Sequence, residues 1–178
     1  MALSIQELED IFFDQTARII GLDPNDERTQ NRIRVTWPAK GAPAWKREED
    51  VAFFIIDYDD DLYTRQMDVS YVGETDGIGR RTVGHTQVLR VSWICYGPNS
   101  FSDAATIRAG LFGPTSKEAF AGSNLALITD VPMPKRVPEQ FGGQWWDRTS
   151  FWARFNERVL RQENVSYLES ADVKIIPG

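Results

Sequence analysis

The chain has 178 residues, 42% hydrophobic and 12% aromatic, which is enough apolar material for one packed domain, 1–178, and too much for disorder. Its net charge of −6 argues against a protein that grips nucleic acid through a broad basic surface, though not against one that surrounds DNA without holding it. A single cysteine excludes an intrachain disulfide framework, nothing reads as a signal peptide, and no run approaches the roughly 20 apolar residues of a membrane span.

In chain order, Ser4 and Glu7 have the spacing of a capping box, with Leu3 and Leu8 as its hydrophobic staple. Ile5, Leu8, Phe12 and Ile19 supply the apolar stripe of a first helix that ends at Gly21, before Asp23-Pro24. A strand is expected next, with Ile33, Val35 and Trp37 alternating with Arg32, Arg34 and Thr36, followed by a loop over Pro38–Glu49 that holds Trp45. Val51–Ile56 is almost continuously apolar, which suits a central strand covered on both faces. Asp57–Asp61 reads as an acidic turn and Asp68–Val72 as a short strand. Gly73–Gly84 reads as a mobile, glycine-rich excursion, with Asp76-Gly77 as the turn of a β-arm tip.

Gln87–Leu111 is the most regular stretch. Leu89, Val91, Trp93 and Cys95 share one strand face, and Arg90, Ser92 and Tyr96 the other. Gly97-Pro98-Asn99 stops the strand, Ser100 is placed to cap a helix, and Asp103 sits in its first turn. Phe101, Ala104, Ile107 and Leu111 form its stripe, and Gly113-Pro114 closes it. Leu125–Thr129 is a further strand, and the prolines of Val131–Pro138 force an extended chain. From Gln144 to Arg161, Phe151, Ala153, Phe155 and Val159 face one way, while Arg148, Ser150, Trp152, Arg154, Asn156 and Arg158 face the other. Val173–Ile176 is its expected pairing strand.

Few residues suggest chemistry. Asp57, Asp59, Asp61 and Asp68 occupy positions one, three, five and twelve of a calcium-loop template, but Leu62 stands where the template needs glycine. A solvated strand-end turn is the plainer reading; the enzyme alternative is a divalent-metal site at that turn. Gly77-Ile78-Gly79 lacks the third glycine of a dinucleotide fingerprint. His85 has no second histidine for zinc, Cys95 lies mid-strand as an inert thiol, and Trp145-Trp146 belong to core or interface. No cofactor and no metal are expected. The row Arg148, Trp152, Arg154 and Arg158 is either a solvated face or a subunit contact, since Arg and Trp are enriched at interface hot spots. In the second case the acidic turn of a neighbouring copy is its complement, a head-to-tail contact of the kind that closes into rings.

The order of these motifs resembles the neck or tail-terminator proteins of long-tailed bacteriophages. The resemblance rests on the N-terminal helix, the charged loop ending Glu49-Asp50-Val51-Ala52-Phe53-Phe54-Ile55, and the strand Gln87-Val88-Leu89-Arg90-Val91. It extends through Tyr96-Gly97-Pro98-Asn99-Ser100 into Asp103-Ala104-Ala105-Thr106-Ile107-Arg108, and to Trp146-Asp147-Arg148 opening the last long strand. It implies an α/β (α+β) subunit with a mixed, mostly antiparallel sheet, two main helices on one face and a mobile β-arm or loop. It implies a homo-oligomeric ring, six copies being usual, that caps the head-proximal end of the tail tube, stops its polymerisation and meets the head connector. A head-side connector or stopper ring is the alternative placement. DNA passes through the bore without specific binding, and six copies at −6 each would give that ring −36. Asp57, Asp59, Asp60, Asp61, Glu74 and Asp76 are the expected acidic bore or interface residues. The subunit belongs to the virion, assembled in the host cytoplasm.

Overall fold

A computed structural model describes residues 2–35, 45–60, 62–73 and 78–166. Helix α1 (Ile5–Ile19) begins as expected: Ser4 Oγ accepts from the Glu7 amide while the Glu7 carboxyl accepts from the Ser4 amide. Those bonds hold the Glu7 carboxyl below its usual range. The chain turns at Gly21, whose φ of +79° suits glycine. The polar stretch before the expected strand forms a helix that takes in Arg32, the first residue of that strand. Asp26 caps α2 (Glu27–Arg32), and only Ile33–Arg34, β1, is extended. Trp37 falls outside the described residues.

Strand β2 (Val51–Asp59) pairs parallel to β1 and antiparallel to β4 (Ile78–Tyr96). The acidic turn therefore starts later than expected, because Asp57 and Asp59 are strand residues. A short 3-10 turn, Leu62–Arg65, leads to β3 (Asp68–Gly73), which pairs with the first part of β4. The β-arm reading of Gly73–Gly84 holds for the described residues, since Gly79–Gly84 is laddered on both sides, to β3 and to β9 (Arg148–Ser166), while the expected Asp76-Gly77 turn lies outside them.

Helix α3 (Ser100–Leu111) follows β4, with Asn99 and not Ser100 at its cap position. Phe101 is 47% exposed, because the inward stripe is Ser100, Ala104, Ile107 and Leu111. Gly113-Pro114 ends α3 but also starts α4 (Pro114–Gly122), with proline in the first helical turn, where its missing N–H costs nothing. Then come β5 (Leu125–Ile128), β6 (Lys135–Arg136), the hairpin β7 (Glu139–Phe141) and β8 (Gln144–Trp146), and β9. The main sheet runs β1-β2-β4-β9-β5, mostly antiparallel, with β3 and β6 continuing its edges. Val173–Ile176 lies outside the described residues.

The long β4–β9 pair organises everything. Paired residues of neighbouring strands point to the same side, so one face carries Leu89, Val91, Trp93 and Cys95 with Phe151, Ala153 and Phe155. Helices α1, α3 and α4 seal that face. Phe12 meets Phe155 and Phe120 at ring distances of 4.8 and 5.5 Å, Trp93 stacks on Phe151 at 5.1 Å, and Trp93 Nε1 donates to Thr16 Oγ1 at 3.1 Å. Among the described residues the other face is covered at one end, where Trp45, Val51, Phe53, Tyr96 and Trp146 form a small aromatic cluster. Val51–Phe54 are buried between the two clusters, as a strand covered on both sides requires.

Candidate docking face

No helix covers the rest of that second face among the described residues. Its rows follow from register: Asp57, Arg90, Arg154 and Ile128 are opposite one another across β2, β4, β9 and β5; Ile55, Ser92 and Trp152 form the next row; Asp59, Val88, Asn156 and Ala126 the row on the other side. Trp152, Arg154 and Arg158 lie here, as the alternation predicts, and Arg148 is on the same side at the covered end, opposite Tyr96.

Their surroundings differ. Arg154 sits 3.5 Å from Asp130 and 3.9 Å from Asp59, with its guanidinium 5.6 Å from the Trp152 ring centroid. Its Nε is buried with no hydrogen-bond partner among the described residues, and so is that of Arg148. Arg148 pairs with Glu139 at 3.4 Å, and the same Glu139 oxygen accepts from the Tyr96 hydroxyl at 2.8 Å. Burial and that carboxyl push the Tyr96 phenol well above its usual range. Arg158 is exposed. Asp59 thus has a partner within its own chain, whereas Asp57 is exposed opposite Arg90. Asp60 is bridged by Arg65, whose hydrogen bonds and charge hold its carboxyl below the ordinary range. Asp61, Glu74 and Asp76 lie outside the described residues.

Each remaining candidate has a structural place. Asp57 and Asp59 ride on β2 and Asp68 on β3, and no cluster of three or more potential metal ligands occurs among the described residues. Gly79 lies within β4, in a ladder and not in a phosphate-binding loop. Cys95 is fully buried, and desolvation pushes its thiol up to about 12. Ser100 is buried, and its hydroxyl accepts from Thr149 at 3.3 Å. Trp146 joins the Trp45 cluster while Trp145 is 64% exposed on the hairpin.

Two positioning groups escape the sequence pattern. Glu157 occupies an inward position of β9 and is fully buried, its carboxyl accepting from the Leu3 amide at 2.7 Å and from the Gln87 side-chain amide at 2.5 Å. It pins the start of α1 to the sheet. Arg108 on α3 donates to the carbonyls of Val131 and Pro132 at 2.9–3.2 Å, anchoring the proline-rich segment. An inward-pointing acid and a helix arginine in sequence carry no mark of either partner.

Among the described residues, one face of the sheet is sealed by helices and the other carries a row of arginine, tryptophan and carboxyl groups that no element covers. Residues 6–178 match the family described as phage neck terminator protein, and the chain belongs to that family. It is therefore a phage neck component. No curated protein matches the chain. No helix among the described residues is long and apolar enough to cross a membrane.

Proposed function

We propose that this chain is a structural subunit of the virion neck that assembles with copies of itself into a ring, six being the expected number, on the head-proximal end of the tail tube. The ring ends tube polymerisation, presents its far side to the head connector or stopper, and lets DNA pass through its bore. The open face of the sheet is the contact between neighbouring copies, with Trp152 as its anchor and Arg148, Arg154 and Arg158 around it. Asp57 and Asp59 belong to the same face and take part in that contact.

The observation that carries this reading is the family match over almost the whole chain, joined to a sheet face that the described residues leave largely uncovered. A flat, rigid sheet face places its side chains at little entropic cost on docking, and a half-buried tryptophan gains most of its burial there. The negative chain charge favours a bore in which phosphates slide and are not held.

The test is mass measurement in solution, with and without tail tubes, followed by negative-stain imaging. The expected result is a closed ring seated on tube ends. A chain that remains monomeric and never decorates tubes would refute the reading. Trp152→Ala should reduce ring formation while the isolated subunit stays folded, because the side chain is only half-buried in the monomer.

A further inference from the structure

Trp152 anchors the proposed contact, yet its neighbours within the sheet do little to fix it. Across the β4 ladder its partner is Ser92, whose side chain is too short to wall an indole. On the other side of β9, β5 pairs with Arg154–Glu157 and β6 with Thr149–Ser150, so among the described residues no strand runs beside Phe151–Ala153. The ring is half-buried beside that gap.

Arg154 lies against it, its guanidinium 5.6 Å from the ring centroid and so within cation–π range. Carboxylates from two separate elements meet that guanidinium. Asp59, at the end of β2, is 3.9 Å from one terminal nitrogen, and Asp130, just beyond β5, is 3.5 Å from the other. They offset Arg90, which stands directly opposite Arg154 and repels it. The Arg154 Nε is buried as well.

We infer that Arg154 is a positioning residue: it braces Trp152 in the orientation that docks on a second copy, using carboxylates of its own chain. The inference rests on the reading that this face joins neighbouring copies. A planar guanidinium can lie on a ring while offering each terminal nitrogen to a different carboxylate, which the point charge of a lysine cannot do. Because β2, β9 and the segment after β5 all contribute, the ring is set only when the sheet is complete. A ring ordered beforehand spares the cost of ordering it on docking, about three- to tenfold in affinity.

The test is a double-mutant cycle on half-assembly concentration, measured by sedimentation for wild type, Arg154→Gln, Trp152→Ala and the two combined. Arg154→Gln should raise that concentration about three- to tenfold when Trp152 is present and less than twofold when it is alanine. Equal losses in both backgrounds overturn the brace and make Arg154 a direct contact. Fluorine NMR of the unassembled subunit labelled with 5-fluorotryptophan gives a second reading, the Trp152 resonance being assigned with Trp152→Phe. Arg154→Gln should shift or broaden that resonance and leave those of the other tryptophans in place. An unchanged Trp152 resonance overturns the brace even where Trp152→Ala is too weak to assemble. A wild type that stays monomeric on tail tubes, or Trp152→Ala rings that form at wild-type concentration, would remove the contact face itself, and this inference with it.

Discussion

Glu157 offers the sharpest check on the physical account of the fold. Replacing it with alanine removes the acceptor for the Leu3 amide and for the Gln87 side chain, both half-buried near the start of α1. Each hydrogen bond contributes about 1 kcal/mol net, and each donor stranded away from water costs about 1–3 kcal/mol. The carboxyl also sits at the positive end of the α1 dipole, which adds a few tenths to 1 kcal/mol. The expected loss for Glu157→Ala is about 4 kcal/mol, or about 8–16 °C in Tm for a chain of this size. Glu157→Gln retains an acceptor for one donor, and the Gln87 amide can reverse to accept from the new one, so the loss should be about 1–2 kcal/mol. Thermal unfolding followed by circular dichroism, with urea titration as a second measure, separates the two. If Glu157→Ala melts within 2 °C of wild type, the carboxyl does not tie α1 to the sheet, and the buried contact is dispensable.

Further outcomes follow from other sites. Gly97→Ala should cost about 3–4 kcal/mol by urea titration, since φ is +104° and a Cβ would lie 2.5 Å from the Asp50 carboxyl and 2.6 Å from the Glu49 carbonyl. Cys95 should resist thiol reagents at neutral pH until the protein unfolds. Because its folded value is raised to about 12 from an ordinary 9.0, the associated stabilisation is complete below pH 9 and is lost as pH climbs toward 12, so urea midpoints should fall over that window. Replacing Asp57 and Asp59 together with lysine should abolish ring formation seen by mass measurement, because Asp57 is opposite Arg90 and Asp59 pairs with Arg154 on the proposed contact face; intact rings with slowed DNA passage would place these carboxyl groups in the bore instead.

What was legible in the sequence was one-sided burial. The Leu89–Cys95 and Phe151–Val159 alternations report the two sheet faces directly, because each strand has a sealed side and an open side. Short elements without such a contrast were not legible. Six residues of α2 hold one buried side chain, Thr29, so no period emerges, and Gly113-Pro114 ends one helix and begins another with the same two residues. Phe101 misled because hydrophobicity alone does not decide which stripe of a helix turns inward. Glu157 shows the limit most clearly: in sequence it is a break in an apolar row, and only the approach of Leu3 and Gln87, 154 and 70 residues away, turns it into a tie. Of the docking face, the row of residues was visible, but their intrachain partners Asp130 and Glu139 were not.

Those partners bear on how the open face can work. A bare row of arginines would dock mainly through charge, and its affinity would drop steeply with salt. Here Arg154 is held between Asp59 and Asp130, and Arg148 against Glu139, so much of the charge is neutralised before any neighbour arrives. What the fold then presents is Trp152 on a flat sheet, with guanidinium groups fixed in place and their Nε atoms, unbonded among the described residues, already desolvated. Docking on such a surface removes little further water from charge and gains chiefly from burying the tryptophan. Assembly should accordingly change less than tenfold in half-assembly concentration between 50 and 500 mM salt, measured by sedimentation, although screening shortens the Debye length from about 14 to about 4 Å over that range. A collapse of the rings at 500 mM would mean that charge elsewhere on the chain dominates the contact.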